Sequence, residues 1–242
     1  VIGIFFTLAL YTKDKFLILL VMFSIIYLAI FNQWQSAMIT LSSIIIAVPI
    51  GVLLGILLGI LSYKSQILEK IITPILDLMQ TVPVFAYLVP ILVMFGFGPV
   101  SALIATIIYA MPPMVRTTLL ALNNIDPQLK ESGIMSGCTD RQLMWKVLIP
   151  VSKPTLLIGV NQVIMLSLNM VIIASMIGAG GLGYDVLASL RRLDIGGGIE
   201  SGIAIVVLAI ALDRLSQSFA NLPTLKKRTQ KNFFKKYKKI IF

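Results

Sequence analysis

The chain has 242 residues, of which 58% are hydrophobic and only 12% are charged, and its mean hydropathy is +0.97. This composition is typical of polytopic membrane proteins and leaves no room for a separate soluble domain. The single cysteine excludes an internal disulfide, and with no histidine present the usual zinc and haem ligand sets are missing, so we expect neither a metal nor a cofactor. The formal charge of +10 is better explained by membrane topology than by nucleic-acid binding, because most of the excess lies in the C-terminal tail.

The composition of residues 1–32 indicates two N-terminal apolar segments. Residues 1–12 are too short to cross a bilayer, which takes about 20 residues. There is no initiator methionine, so we expect an N-terminally truncated sequence that begins within a span. We do not expect this run to be a signal peptide, because Lys13 and Lys15 follow the apolar run instead of preceding it. Residues 16–31 form a second, short span.

Residues 36–63 contain no charged residue and predict a tilted spanning helix. Within it Gly51, Gly55 and Gly59 recur every four residues and form a smooth stripe on one face. In lipid, small residues let helix backbones approach closely, so we predict that this stripe packs against another helix.

Residues 78–115 are also uncharged but are interrupted by prolines. The turn at 96–99 (GFGP) divides the segment into two spans. Pro83, Pro90 and the pair at 112–113 should break helices, which membranes tolerate where the freed carbonyl groups face protein or a water-filled path.

Residues 126–150 (DPQLKESGIMSGCTDRQLMWKVLIP) form a polar island between long apolar segments. Asp126 can cap a helix that starts at Pro127. Gly137 can end this helix, because a glycine adopts the left-handed conformation of a helix end without steric cost.

A second short helix is predicted over residues 140–148 of the polar island. Thr139 and Gln142 have capping-box spacing at its start, and Pro150 should stop it. The polar island is therefore expected to fold as helix, glycine turn and helix.

The polar island resembles the coupling loop, with its Glu-Ala-Ala motif, of permease subunits in binding-protein-dependent ABC importers. The matching positions are Glu131, Ser132, Gly133, Gly137, Val147, Ile149 and Pro150. Ser132 and Gly133 replace the two alanines of the family pattern, while the glutamate, glycine and proline keep their spacing. The resemblance implies that this loop docks into a groove of a separate cytoplasmic ATPase; the alternative is an ordinary amphipathic connector.

A second resemblance is more specific and points to the glycine betaine/L-proline permeases of that family. It is carried by residues 77–90 (DLMQTVPVFAYLVP), 159–162 (GVNQ), 174–177 (ASMI), 180–183 (GGLG), 192–194 (RLD) and 208–215 (LAIALDRL). The resemblance implies a multi-pass permease of the bacterial inner membrane, a glycine betaine, proline betaine or choline cargo and an extracytoplasmic binding protein, periplasmic or lipid-anchored. It also implies a second copy of the permease. The runner-up cargo is an amino acid such as methionine.

Polar side chains within the spans are candidates for the translocation path. They are Gln80, Thr81, Pro83 and Tyr87 from the proline-interrupted segment, and Asn161, Gln162 and Asn169 from the later span within 154–184. Gln162 and Asn169 are seven residues apart and share a helix face, whereas Asn161 points about a quarter-turn away. Hydrogen bonding between helices is the alternative role for all of them.

The basic residues predict the orientation of the chain. If every proposed span crosses the membrane, all of the 20 lysines and arginines except Arg116, Arg191 and Arg192 fall in loops on one side. That side is the cytoplasm by the positive-inside rule, and Arg116 is expected at the cytoplasmic end of its helix. The tail alternates lysines with aromatic residues, which suits an anionic leaflet and follows no RNA-binding pattern.

We therefore expect an all-α, polytopic bundle of the ABC importer permease type. The chain divides into residues 1–32, a permease domain at 33–220 and a basic cytoplasmic tail at 221–242. A secondary transporter or channel is less favoured because Asp77, Arg116 and Asp213 all lie near predicted cytoplasmic ends, not at mid-membrane. A membrane enzyme would need a clustered catalytic set, and ATP hydrolysis is assigned to another chain because no phosphate-binding G-x-x-x-x-G-K-[ST] motif is present.

Overall fold

The structure is a computed structural model that describes residues 15–220, and this part of the chain consists of helices and short connections. The helices are α1 Lys15–Ile30, α2 Trp34–Lys64, α3 Gln66–Thr81, α4 Val84–Phe95, α5 Pro99–Asn123, α6 Pro127–Met135, α7 Asp140–Gln142, α8 Ile149–Met176, α9 Leu182–Arg192 and α10 Ile195–Ala220. A π-helical turn, Leu143–Leu148, joins α7 to α8. The all-α fold is confirmed, while the predictions for residues 1–12 and for the tail fall outside the described residues.

Four helical stretches are long and apolar enough to cross a membrane: α2, α5, the continuous stretch Asp140–Met176 and α10. Helices α3 and α4 together form a fifth candidate span, which is bent by 99° at residues 82–83. Helix α1 has 16 residues, so it rises only about 24 Å, less than a bilayer core of about 30 Å. These helices make the chain a multi-pass membrane protein.

The glycine stripe of α2 is a packing seam, as predicted. A Cβ atom placed on Gly55 would lie 2.6 Å from the Cβ of Met114, and one placed on Gly59 would lie 2.6 Å from the Cβ of Thr118. Both neighbours belong to α5, so these glycines allow close approach of the two backbones. At Gly51 the added atom would lie at an ordinary 3.6 Å from a Val163 side chain of α8.

Contacts between residues near the helix termini define two opposite ends of the bundle. At the first end, which we call the basic end, the Ser152 hydroxyl donates to the Ala121 carbonyl at 3.3 Å and the Lys130 ammonium lies 5.1 Å from the centre of the Tyr63 ring. At the opposite end, the amide of Gly98 in the α4–α5 turn donates to the carbonyl of Ile177 at 2.9 Å. These contacts agree with the predicted alternation for α2, α5 and α8, while the crossing of the other helices stays a prediction.

The prolines do not all act as predicted. Pro83 does break the chain, at the bend between α3 and α4, but Pro90 lies inside α4 and the Pro112–Pro113 pair lies inside α5. Each proline removes a backbone donor. Pro112 and Met114, on either side of Pro113, are fully buried, so their packing keeps α5 helical despite the lost hydrogen bonds.

The prediction that Pro150 ends a helix is wrong. The helix that starts at Asp140 continues through the π-helical turn and runs to Met176, with Pro150 and Pro154 inside it. In a π-helical turn the hydrogen bonds span five residues instead of four, which widens the backbone. Pro150 directly follows this widened turn, where a residue without a donor is accommodated without ending the helix.

Candidate coupling loop and membrane cavity

The first helix of the polar island, α6, is capped at both ends as the sequence predicts. The Asp126 carboxylate accepts a hydrogen bond from the Gln128 amide at 2.9 Å. At the other end Gly137 has φ +75°, and the following Cys138 amide donates back to the Gly133 carbonyl at 3.2 Å. This left-handed glycine reverses the chain direction and satisfies a carbonyl that would otherwise lack a partner.

The second helix begins with the predicted capping box. The Thr139 hydroxyl accepts from the Gln142 amide at 3.4 Å, and the Gln142 side-chain oxygen accepts from the Thr139 amide at 3.1 Å. Each residue thereby satisfies a backbone donor that the helix itself leaves free. The start of this segment is fixed within two residues of the glycine turn.

The polar island is anchored on the membrane helices by one buried face. Gly133 is buried, and a Cβ atom there would lie 2.5 Å from the Leu143 side chain, so α6 packs closely on the π-helical turn. Met144 and Leu148 of that turn are buried in a core cluster with Ile60 of α2. Leu122 and Ile125, from the end of α5 and the turn after it, complete this cluster.

The other face of the polar island is exposed and carries large apolar side chains. Met135 is 87% exposed, Ile134 61% and Trp145 56%. Glu131 and Ser132 are exposed on the same helix, α6, while Ile149 is half-buried and Pro150 is exposed in the spanning helix. Exposed apolar side chains beside a carboxylate suit a protein docking surface better than a solvated connector.

A cavity of about 460 Å³ lies between α3, α5 and α8. Its lining consists of Gln80, Pro113, Arg116, Thr117, Asn161, Gln162, Met165 and Leu166. The structure thus brings together three of the residues that the sequence suggested for the path, Gln80, Asn161 and Gln162. The mixture of amide, hydroxyl and apolar groups can hold a small, net-neutral solute.

The other suggested path residues lie outside this cavity. The Thr81 hydroxyl donates to the Asp77 carbonyl of its own helix at 3.0 Å, and Pro83 is exposed at the bend. Tyr87 packs against a core cluster between α4, α5 and α8, where its buried hydroxyl has no partner among the described residues. Asn169 is exposed on α8 and does not line the cavity.

Asn161 also has the alternative role that we considered for these residues. Its side-chain oxygen accepts a hydrogen bond from the Ser216 hydroxyl of α10 at 2.5 Å. Asn161 therefore ties α8 to α10 while it contributes to the cavity wall. Gln162, by contrast, is exposed and free to face a solute.

The structure adds an ion pair that the sequence did not predict, between Arg116 of α5 and Asp77 of α3. The expectation that Arg116 sits at the end of its helix is wrong, because α5 continues to Asn123, about two turns further. The guanidinium pairs with the Asp77 carboxylate beside the cavity. The two residues are 39 positions apart, so no local spacing signals the contact.

Comparison with known proteins identifies the family. The sequence profile described as "Binding-protein-dependent transport system inner membrane component" matches residues 51–222. The glycine betaine/proline betaine transport system permease protein ProW of Escherichia coli is 45% identical over 195 residues, which is 81% of this chain and 55% of that protein. The glycine betaine transport system permease protein OpuAB of Bacillus subtilis is 38% identical over 215 residues, 89% of this chain and 76% of that protein.

A further relative is the trimethylamine N-oxide transport system permease protein TmoV of Pelagibacter ubique, which is 45% identical over 81% of this chain and 27% of that protein. The chain thus spans between about a quarter and about two-thirds of the length of several of its relatives. Among solved structures, an inward-facing form of the MetNI methionine ABC transporter matches with a TM-score of 0.67 at 22% identity, over 78% of this chain and 93% of that chain. That likeness concerns the fold alone. The matched profile, which covers residues 51–222, shows that the chain belongs to the family of binding-protein-dependent transport system inner membrane components.

Proposed function

We propose that this chain is the permease subunit of an ABC importer and forms the translocation path for glycine betaine, proline betaine or choline-like osmolytes. ATP hydrolysis takes place on a separate cytoplasmic ATPase, and an extracytoplasmic binding protein delivers the cargo. Two copies of the permease form the transporter. The basic end faces the cytoplasm by the positive-inside rule.

The observation that carries this proposal is the exposed face of the polar island at the basic end. Ile134, Met135 and Trp145 would be poorly solvated in an isolated chain, whereas the groove of a partner would bury them. Fully burying one such side chain contributes about 1.5 to 3 kcal/mol, so burial of this patch favours docking of a partner. Glu131 adds a carboxylate for a charge-assisted contact at the edge of the patch.

The choice of cargo is supported by the relatives and by the chemistry of the cavity. ProW and OpuAB are named for glycine betaine, and TmoV is named for trimethylamine N-oxide, which is also a net-neutral trimethyl compound. The cavity offers amide groups and one arginine that is already paired with a carboxylate. A net-neutral solute can enter such a site without leaving a buried charge unpaired.

The test is reconstitution in lipid of the permease with its ATPase and its binding protein. We expect glycine betaine to stimulate ATP hydrolysis and to accumulate inside vesicles. Competition by choline, proline betaine, proline and methionine then ranks the cargoes, and inhibition by methionine alone would refute the osmolyte assignment.

Substitution of Glu131 tests the docking surface within the same system. Glu131→Ala should lower ATPase association and uptake together, while Glu69→Ala, which removes a half-buried carboxylate from α3 outside the polar island, serves as the control. Normal association and uptake in Glu131→Ala would count against the coupling role of this residue.

A further inference from the structure

The Asp77–Arg116 ion pair stands at the edge of the membrane cavity. Arg116 lines the cavity, and Asp77 holds its guanidinium from the neighbouring helix α3. Arg116 lies 17 residues from the start of α5 at the opposite end, so it sits about 25 Å from that end and close to the basic end. A solute crossing from the opposite end therefore meets the amides of the cavity and this ion pair in the basic half of the membrane.

Both partners of the pair remain accessible to a solute. The side chain of Arg116 is 41% exposed and that of Asp77 is 57% exposed. The Nε atom of Arg116 is buried and has no hydrogen-bond partner among the described residues, so the guanidinium has unused donor capacity. Half-exposed ion pairs are weak and can exchange partners.

We propose that Asp77 and Arg116 form a transient binding site for a zwitterionic trimethylammonium solute. The Arg116 guanidinium holds the carboxylate of the solute, and the Asp77 carboxylate faces its quaternary ammonium. This inference rests on the proposed transport function and assigns it a site within the membrane. It adds two residues of opposite charge to the amides of Gln80 and Gln162.

Charge balance is the physical reason for this match. The ion pair is neutral, and so is a zwitterion, so exchange of partners leaves every charge compensated throughout. A monocation such as choline would release Asp77 from Arg116 and leave the guanidinium without a counter-charge, so this site ranks choline below the betaines among the proposed cargoes. A monoanion would do the reverse to Asp77. The weakness of the starting pair also keeps the solute from being held too tightly for passage.

The cavity has the size and wall of a small-solute site. The cavity is open on one side, and its volume of about 460 Å³ leaves room for a compact trimethylammonium solute. Met165, Leu166 and Pro113 supply an apolar wall for methyl groups. Arg116 is the charged residue among the described side chains that line this cavity.

The test measures binding to the permease–ATPase complex in lipid nanodiscs without the binding protein. The three probes differ mainly in charge. They are glycine betaine, its methyl ester, which is a cation larger by one methyl group, and tert-butylacetate, which is the anion in which carbon replaces nitrogen. Affinities follow from the rise in the midpoint of thermal unfolding with ligand concentration. The wild-type complex should bind glycine betaine more tightly than either singly charged probe.

The two charge-removing variants should shift this preference in opposite directions. Asp77→Asn should lower the affinities for the cation and for glycine betaine by about tenfold and leave the affinity for the anion unchanged. Arg116→Gln should lower the affinities for the anion and for glycine betaine and leave the affinity for the cation unchanged. Arg116→Lys keeps the charge and should keep the wild-type order of ligands. Asp185→Asn and Arg192→Gln at the opposite end should leave all three affinities unchanged.

A purely structural ion pair would give a different result. In that case both variants would change the three affinities by the same factor, or the wild-type complex would show no preference for the zwitterion, and either result would overturn the proposal. If Arg116→Gln fails to assemble, Asp77→Asn and Arg116→Lys still decide the question. Failure of glycine betaine uptake in the wild-type transporter would instead refute the proposed function, so the two failures are distinguishable.

Discussion

The glycine turn of the polar island allows a prediction whose magnitude follows from local geometry. Gly137 has φ +75°, and no atom lies within 4 Å of the place where a Cβ would stand. Replacement by another residue therefore meets no steric neighbour, and its whole penalty comes from the left-handed backbone. That penalty is about 1 to 2 kcal/mol for an L-residue, whereas asparagine adopts this conformation more readily.

The series Gly137→Asn, Gly137→Ala and Gly137→Val should thus show graded loss of the native turn. A penalty of 1 to 2 kcal/mol lowers the population of a conformation by a factor of about 5 to 30, and the apparent affinity for the ATPase should fall by the same factor. Asparagine should stay close to wild type and valine should be the most affected. The protein should still reach the membrane, because the turn lies outside the spans.

The assay can use the single cysteine of the chain as a local reporter. Cys138 follows the glycine, and its amide closes the turn on Gly133. We expect thiol labelling of Cys138 to accelerate in the order asparagine, alanine and valine, in parallel with the loss of ATPase binding and uptake. Wild-type behaviour of Gly137→Val, or equal effects of asparagine and valine, would refute the argument that the left-handed conformation matters.

Three further predictions concern the spans and the cavity. Gly55→Ala should destabilise the bundle by about 1 to 3 kcal/mol through overpacking, while Gly51→Ala should be tolerated. Thermal unfolding of the purified protein compares the two variants, and equal unfolding midpoints would contradict the packing seam between α2 and α5. In intact cells a membrane-impermeant thiol reagent should label Arg192→Cys but not Cys138, and labelling of Cys138 from outside would reverse the proposed topology. Gln162→Ala should change uptake rate or cargo preference, and unchanged transport would remove that residue from the path.

Local sequence signals predicted the polar island well because the interactions involved are local. Asp126 and the capping box at Thr139 each satisfy backbone groups within three residues, and Gly137 acts through its own backbone dihedral angle. The packing stripe at Gly55 was likewise predicted from its spacing, although the sequence did not show which helix packs against it. Such features need no knowledge of the tertiary structure.

The features that were missed depend on tertiary contacts. Pro150 was expected to stop a helix, but packing of Met144 and Leu148 holds the chain helical through a π-helical turn. The Asp77–Arg116 pair joins residues 39 positions apart, and neither residue carries a local sign of its partner. Of the suggested path residues, only those that tertiary packing brings to the cavity could be confirmed as neighbours.

The π-helical turn has a mechanical consequence. Because it joins α7 to α8 without a break, the 37 residues of Asp140–Met176 form one continuous helix about 55 Å long along its path, from the polar island to the opposite end. A tilt of about 5° at the docked end would swing the far end by about 5 Å, roughly the width of a small solute. This helix would therefore transmit a tilt at the docked end to the far end, because no loop interrupts it.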